Sequence, residues 1–200
     1  TGAYLSNNTI VWDSPSFDMA GASVSLDVAL SPDANSNSAA DGASATHGAF
    51  GLGYGLGMTV SGITEGLTLG VYGDIRENVQ AVGTNDKPRD AFTGTWYAKY
   101  SAGPVSFGYQ TSYFDSGLAA ANVNAASPAT VGTSGGVFEA ETMSVAFNVN
   151  DNLSVSLATQ DYEYDNTSTA DVTETVDAIN ASYTVGAASV RATVSDGDKL

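Results

Sequence analysis

The stretch Gly48-Ala49-Phe50-Gly51-Leu52-Gly53-Tyr54-Gly55-Leu56-Gly57-Met58-Thr59-Val60 alternates large apolar residues with glycine. In an extended strand, successive side chains point to opposite faces of the sheet. One face of this segment therefore carries only apolar side chains, and the other is almost bare. Because no helix pattern follows the glycines, the segment does not have the form of a phosphate-binding loop. It predicts a β-strand with one strongly apolar face.

The same period of two recurs along the whole chain and predicts about ten strands. No apolar run reaches the roughly 18 residues that a transmembrane helix needs. A weaker first strand is expected around Tyr4–Trp12. The other expected strands are Ala22–Leu30, Gly48–Val60, Leu67–Val79, Ala91–Ser101, Val105–Asp115, Val137–Val149, Leu153–Glu163, Glu174–Val185 and Ser189–Ser195.

After a first connection at Asp13–Gly21, short and long connections between the expected strands alternate. The short ones contain Gly, Pro or Asn-Asp-Asn, as tight hairpins require; they are Ser61–Gly66, Ala102–Pro104, Asn150–Asn152 and Gly186–Ala188. The long ones are Ser31–His47, Gln80–Asp90, Ser116–Gly136 and Tyr164–Thr173. Tight turns on one side and longer loops on the other are typical of an antiparallel, up-and-down transmembrane β-barrel.

The second face of most expected strands carries Ser, Thr, Gly and Asn, with few charges. A soluble β-sandwich, which is an alternative fold, would expose strand faces to bulk water, and such faces usually carry many Lys, Glu and Arg. Small polar residues suit the inside of a water-filled barrel whose apolar face meets lipid. Aromatic residues near expected strand ends would form girdles at the membrane interfaces; they are Trp12, Phe92, Tyr100, Phe107, Tyr113, Phe138 and Tyr183.

The chain contains 6 basic and 22 acidic residues, a formal net charge of -16. A nucleic-acid partner is not expected, because a phosphate backbone requires a basic surface. The acidic residues either keep exposed loops soluble or create a negative potential that favours cations. With no cysteine and one histidine, neither a disulfide framework nor a Ser-His-Asp arrangement is expected. We expect no enzymatic activity and no cofactor.

A few charged and amide residues stand out on the small, polar faces. In a pore, basic residues of the wall that face acidic groups create a transverse field that orients solutes. Arg76 and Lys99 are expected on neighbouring strands but at different heights. Alternatively, these charges only solvate the wall. The candidate pore-lining residues are Asp74, Arg76, Lys99, Gln110, Asn180 and Arg191.

The run Asp161-Tyr162-Glu163-Tyr164-Asp165 places carboxylates at alternate positions. In an extended chain all of them share one face, and oxygen-only clusters can bind Ca²⁺. Asp161, Glu163 and Asp165 are therefore weak calcium candidates; the alternative is a solvated strand end. Glu139 and Glu141 are expected on the lipid-facing side, where charge belongs at the level of the headgroups or in a subunit contact.

The stretch Asn7-Asn8-Thr9-Ile10-Val11-Trp12-Asp13-Ser14-Pro15-Ser16-Phe17 resembles a segment of the general bacterial porins, the trimeric outer-membrane porins of proteobacteria. In that family an Asn-rich approach leads into a strand and an Asp/Thr-Ser-Pro turn that ends in an aromatic residue. Asp18-Met19-Ala20 departs from the family, which often has Gly-Gly-Phe there. The stretch Ala181–Gly186 is similar to the late hairpins of these porins.

The resemblance implies a homotrimeric barrel of about 16 strands in the bacterial outer membrane, in contact with lipid and lipopolysaccharide. It implies passive diffusion of small hydrophilic solutes and ions, with cations favoured by the charge. Residues 1–200 would form a single barrel domain, incomplete at both ends, with a constriction loop before Asn7 and a new loop starting at Asp196–Leu200. The alternative function is a surface β-protein whose long loops, such as Ser116–Gly136, bind a partner for adhesion or as a phage receptor.

Overall fold

The computed structural model describes residues 9–32, 52–77, 90–115, 137–165 and 172–199, with the side chains of residues 165 and 199 excluded. These residues form antiparallel β-strands. The strands are β1 (Ile10–Asp13), β2 (Phe17–Met19), β3 (Ala22–Ser31), β4 (Gly53–Ser61), β5 (Leu67–Arg76), β6 (Ala91–Ala102), β7 (Val105–Asp115), β8 (Val137–Asn148), β9 (Leu153–Asp165), β10 (Val172–Val185) and β11 (Ala188–Lys199). In the described ranges there is no helix long and apolar enough to cross a membrane.

The strands form one sheet in chain order. The path runs from β1 to β3 and then through each successive strand to β11, while β2 pairs with β3 beside this path. The prediction of an all-β, antiparallel, up-and-down architecture is therefore confirmed. Within the described residues β1 and β11 are the two edges of an 11-stranded sheet, and they do not pair to close a barrel.

The short connections all lie at the same end of the strands. We call this side of the sheet the turn edge, as distinct from the edge strands β1 and β11. The short connections join β4 to β5, β6 to β7, β8 to β9 and β10 to β11, as predicted. The opposite edge, which we call the loop edge, is where the long connections were expected. These connections lie largely in residues 33–51, 78–89, 116–136 and 166–171, outside the described part of the chain.

The strand β2 was not predicted, because its residues fall in the expected Asp13–Gly21 connection. It forms a tight hairpin with β3 through Ala20 and Gly21, whose φ values are 55° and 87°. Two consecutive left-handed residues are what a two-residue hairpin turn requires, and Asn or Gly usually occupies both positions. Alanine at the first position gave no turn signal in the sequence.

The strand β11 is longer than predicted and corrects the expectation of a loop from Asp196 onward. It continues to Lys199, and its last residues pair with Glu174 to Asp177 of β10. Asp-Gly-Asp has the composition of a turn, yet the cross-strand hydrogen bonds with β10 outweigh this weak local preference.

The register divides the side chains between two faces. The apolar face collects the large residues, for example Val28 of β3, Leu56 of β4 and Val71 of β5. On the other side, which we call the polar face, small residues predominate. Most side chains there are less exposed than those of the apolar face. On β4 the alternation is complete, since Gly53, Gly55 and Gly57 are buried while the apolar residues between them are exposed.

No second layer covers the apolar face in the described residues. Each strand makes its substantial contacts only with its hydrogen-bonded neighbours. Large apolar side chains consequently remain open, with Leu56 66% and Val194 71% exposed. A two-layer sandwich would bury such a face against the facing sheet. This sheet has instead only a few small buried apolar residues, such as Val24 and Ala140, and no extended dry core.

The turn between β8 and β9 depends on one side chain. Asn150 Oδ1 accepts hydrogen bonds from the backbone N–H groups of Asn152 and Leu153, both at 2.9 Å. We expect Asn150→Ala to lower the free energy of unfolding by about 1 kcal/mol, because both N–H groups lose this acceptor. Urea titration of the folded protein measures the effect, with Asn152→Ala in the same turn as the control. Equal losses in the two variants would contradict this role.

Candidate functional site

The polar face is the candidate functional surface, because polar and charged side chains converge on it from every long strand. All of the residues predicted to line a pore lie on this face by register. This set consists of Asp74, Arg76, Lys99, Gln110, Asn180 and Arg191. Their faces are those that side-chain alternation predicted, although the structure does not bring them together in one cluster, and their role in lining a pore stays a prediction.

Asp74 and Arg76 form the charged group of the wall near the loop edge. Asp74 is only 4% exposed; its carboxylate accepts a hydrogen bond from the Thr93 hydroxyl and lies near the Arg76 guanidinium. Lys99 pairs with Thr68 near the turn edge, whereas Arg76 pairs with Ala91 at the opposite end of β6. The two basic residues are therefore about 27 Å apart along the strand, and the expectation of different heights is confirmed.

The remaining predicted residues make local polar contacts on the wall. Gln110 Nε2 donates to Ser112 Oγ at 3.1 Å, and Asn180 Oδ1 accepts from Thr193 Oγ1 at 2.7 Å. Arg191 lies opposite Ser182 and is exposed. These side chains give the wall a hydrated surface with both donors and acceptors, spread over β7, β10 and β11.

Two tyrosines on the polar face form a feature that the sequence did not single out. The rings of Tyr72 on β5 and Tyr97 on β6 are 6.3 Å apart between centroids, and their planes differ by 10°. The Tyr72 hydroxyl is hydrogen-bonded to Thr59 Oγ1 at 2.7 Å. The period of two placed both tyrosines on the polar face, but only the register shows that their rings meet.

One carboxylate, that of Asp27, lies beside the Tyr72 ring, and a second lies one strand farther from the rings. Asp27 of β3 is directly opposite Asp13 of β1 and, on its other side, opposite Gly57 of β4. Gly57 in turn pairs with Tyr72. Alternation along the predicted strand Ala22–Leu30 puts Asp27 on its polar side, but Asp13 was expected to begin a connection, so this acidic pair was not predicted.

A second aromatic cluster lies on the polar face near the loop edge and corrects one prediction. Phe138 was expected in a girdle at the membrane interface, yet it contacts Tyr164 and Tyr162, with ring centroids 5.1 and 5.6 Å away. Phe138 directly precedes Glu139 in β8. Because Glu139 is on the apolar face, the Phe138 side chain is on the polar face. The other predicted girdle residues do lie on the apolar face; they are Trp12, Phe92, Tyr100, Phe107, Tyr113 and Tyr183.

Acidic residues form a row across the apolar face near the loop edge. Glu139 is opposite Glu163, and Glu141 is opposite Asp161, as their predicted positions imply. Asp161 Oδ1 accepts a hydrogen bond from Thr175 Oγ1 at 2.6 Å. Among the described residues no group of three or more acidic or histidine side chains could hold a metal ion. The calcium candidates Asp161 and Glu163 share a face, and the side chain of Asp165 lies outside the described part, so the calcium site stays a prediction.

A polar recess of about 450 Å³ lies at the turn edge of the wall. Amide and hydroxyl side chains dominate its lining, and Asn150 already uses its oxygen to hold the turn. The polar lining of the recess includes Asn148, Asn152, Ser154, Ser182 and Thr184.

Comparison with known proteins gives no family for this chain. No family model matches it, and no curated protein sequence matches it significantly. The loop Ser116–Gly136, which the alternative function requires, lies outside the described residues. The sheet and its two faces are therefore the features from which a function can be proposed.

Proposed function

We propose that this chain forms part of the wall of a water-filled pore in the bacterial outer membrane. The pore passes small hydrophilic solutes and ions by diffusion, favours cations and carries out no chemical reaction. The observation that carries this proposal is the contrast between the two faces of a single-layer sheet. One face carries mostly large, exposed apolar side chains, apart from acidic residues toward the loop edge, and the other carries mostly small polar side chains that are less exposed from β3 to β10.

The apolar face has the properties that contact with lipid requires. Ile179 is 58% and Leu157 is 53% exposed, although burying such side chains is favourable by about 1.5–3 kcal/mol each. Exposed apolar surfaces of this extent mark interaction sites in soluble proteins. Hydrocarbon is the partner that would cover the whole face at once, and the acidic row from Glu139 to Asp161 would then lie at the headgroups.

The polar face has the properties of a lumen. Glycine, serine and threonine leave space near the wall, while Thr95, Ser112 and neighbouring hydroxyls bond to one another. The cation preference rests on the net charge of -16 and on the carboxylates of Asp13, Asp27 and Asp74, which lie on one side of this face. A negative lumen raises the local concentration of cations and lowers that of anions.

The proposal includes closure of the sheet into a barrel and assembly of three identical subunits that contact lipid and lipopolysaccharide. Both features rest on the resemblance of Asn7–Phe17 to the general bacterial porins. In the described part the edges β1 and β11 present backbone groups that further strands can pair with. A closed barrel satisfies these groups in a membrane.

Planar lipid bilayers provide the test of this function. The full chain, purified in detergent, is expected to produce discrete conductance steps and, in a KCl gradient, a reversal potential with the sign of potassium preference. Heat-denatured protein is the control. Folded protein that gives no conductance would reject the pore, and a chloride preference would reject the cation selectivity.

A further inference from the structure

We infer that the stacked pair Tyr72–Tyr97, together with Asp27 and Asp13, binds small organic cations. This inference deepens the proposed function, because it assumes that the polar face lines the pore. We call these residues the tyrosine ledge. A quaternary ammonium ion carries a positive charge inside an apolar shell. Its charge suits the carboxylates of the ledge, and its apolar shell suits the aromatic rings.

The two rings are held against the wall by glycines of the preceding strands. A Cβ atom at Gly57 would lie 2.5 Å from Cε1 of Tyr72, and one at Gly70 would lie 2.5 Å from Cζ of Tyr97. Each ring thus occupies the space that a side chain would fill, and both lean across the sheet in the same direction. The nearly parallel rings form a continuous aromatic surface on the wall.

The ledge stays accessible in the described structure. Both tyrosines are only partly buried, and no described strand packs over this face of the sheet. The hydrogen bond between Thr59 Oγ1 and the Tyr72 hydroxyl fixes one ring in place. A preorganised aromatic surface binds with a smaller entropy cost than a mobile one.

The carboxylates supply the charge that selects a cation. Asp27 Oδ2 would lie 3.0 Å from a Cβ at Gly57, the same point that the Tyr72 ring approaches. Asp27 is therefore at the end of the ledge, and Asp13 is its cross-strand partner. Directly opposed carboxylates repel each other, so a bound cation relieves this repulsion while its apolar shell contacts the rings. Cation–π attraction contributes about 0.5–2 kcal/mol at such sites.

Choline and its neutral isostere 3,3-dimethylbutan-1-ol provide the discriminating pair of probes. We expect NMR titration of the full chain in detergent micelles to show saturable choline binding and at least about fivefold weaker binding of the neutral alcohol, since only choline gains the cation–π and carboxylate attraction. Equal binding of the two probes would overturn the inference.

Substitutions test the location of the site. Tyr97→Leu and Asp27→Asn should each weaken choline binding at least about fivefold, whereas Tyr97→Phe, which keeps the ring, should retain it. The control Tyr162→Leu makes the same change in the other aromatic cluster of the polar face and should bind as the original protein does. Unchanged binding in Asp27→Asn, or loss in Tyr162→Leu, would contradict the ledge, even if Tyr97→Leu does not fold.

The same proteins separate this inference from the proposed pore. Choline binding in micelles does not require conduction, and potassium conductance in bilayers does not require choline. Conductance without choline binding would reject the ledge alone. Binding that is lost with Tyr97→Leu, in a protein that never conducts, would reject the pore and leave the ledge as a binding site.

Discussion

Replacing Leu157 by arginine is expected to destabilise the protein folded into lipid vesicles by about 2–4 kcal/mol if the apolar face contacts lipid as proposed, since this is the cost of an arginine near the bilayer centre. Leu157 is midway along β9 between Leu153 at the turn edge and Asp161 in the acidic row. Its directly opposite neighbours are Val145 and Ile179, while the Asp177 carboxylate lies diagonally across on β10 and lines the same recess. Urea titration of protein folded into lipid vesicles measures the loss.

The neighbouring residue provides a matched control. Ser156 precedes Leu157 on the same strand but lies on the polar face, opposite Ala146 and Asn180. Ser156→Arg should change stability by less than about 1 kcal/mol, because the guanidinium reaches water. If Leu157→Arg is tolerated as well as Ser156→Arg, the apolar face does not contact hydrocarbon, and the soluble alternative gains support.

The second large effect is expected at Gly66, the last residue of the turn between β4 and β5. Its φ of 80° is in the left-handed region, and a Cβ atom would overlap the carbonyl oxygen of Ser101. Its own carbonyl accepts a hydrogen bond from Ser101 N at 2.9 Å, so the two backbones cannot separate freely. We expect Gly66→Ala to lower the free energy of unfolding by about 3 kcal/mol or more, the sum of backbone strain and overpacking.

Gly103→Ala separates these two contributions. Gly103 also has a positive φ, 56°, but a Cβ atom there would meet nothing within 4 Å. Its substitution should therefore cost only the backbone strain of about 1–2 kcal/mol. Both variants are compared by the fraction that refolds and by urea titration. Similar losses in the two proteins would show that the contact with Ser101 is unimportant.

The sequence predicted most of the fold because side-chain parity in a strand is a strict rule. Alternation in segments such as Gly48–Val60 and Leu67–Val79 established strands and faces, and Gly or Pro marked the turns. The hairpin at Ala20 was missed because alanine rarely adopts its conformation. The end of β11 was misplaced because pairing with β10 overrides the local turn composition of Asp196–Asp198.

The candidate site was less predictable, because parity assigns a face but not a register. Side-chain parity placed Arg191 and Gln110 on the polar face, yet parity could not show which side chains meet across neighbouring strands. The contact between Tyr72 and Tyr97 depends on a diagonal relation between β5 and β6, and the Asp13–Asp27 pair depends on the register of β1. Phe138 was predicted in the girdle because it is aromatic and lies near a strand end. Neither property determines which face of the sheet the side chain is on.

For the proposed pore, the edge formed by β11 in the described part of the chain would constrain the order of events during membrane insertion. On the side away from β10, its twelve residues, Ala188–Lys199, have no strand partner within the described ranges. Each unpaired backbone group would cost several kcal/mol in hydrocarbon. The side chains of Val190 and Val194 on the same strand favour transfer into hydrocarbon, which the backbone opposes. An open sheet of this kind is therefore excluded from the bilayer interior as a resting intermediate. In the proposed pore, sealing of the β11 edge would have to accompany its entry into lipid, so that insertion and closure form a single cooperative step.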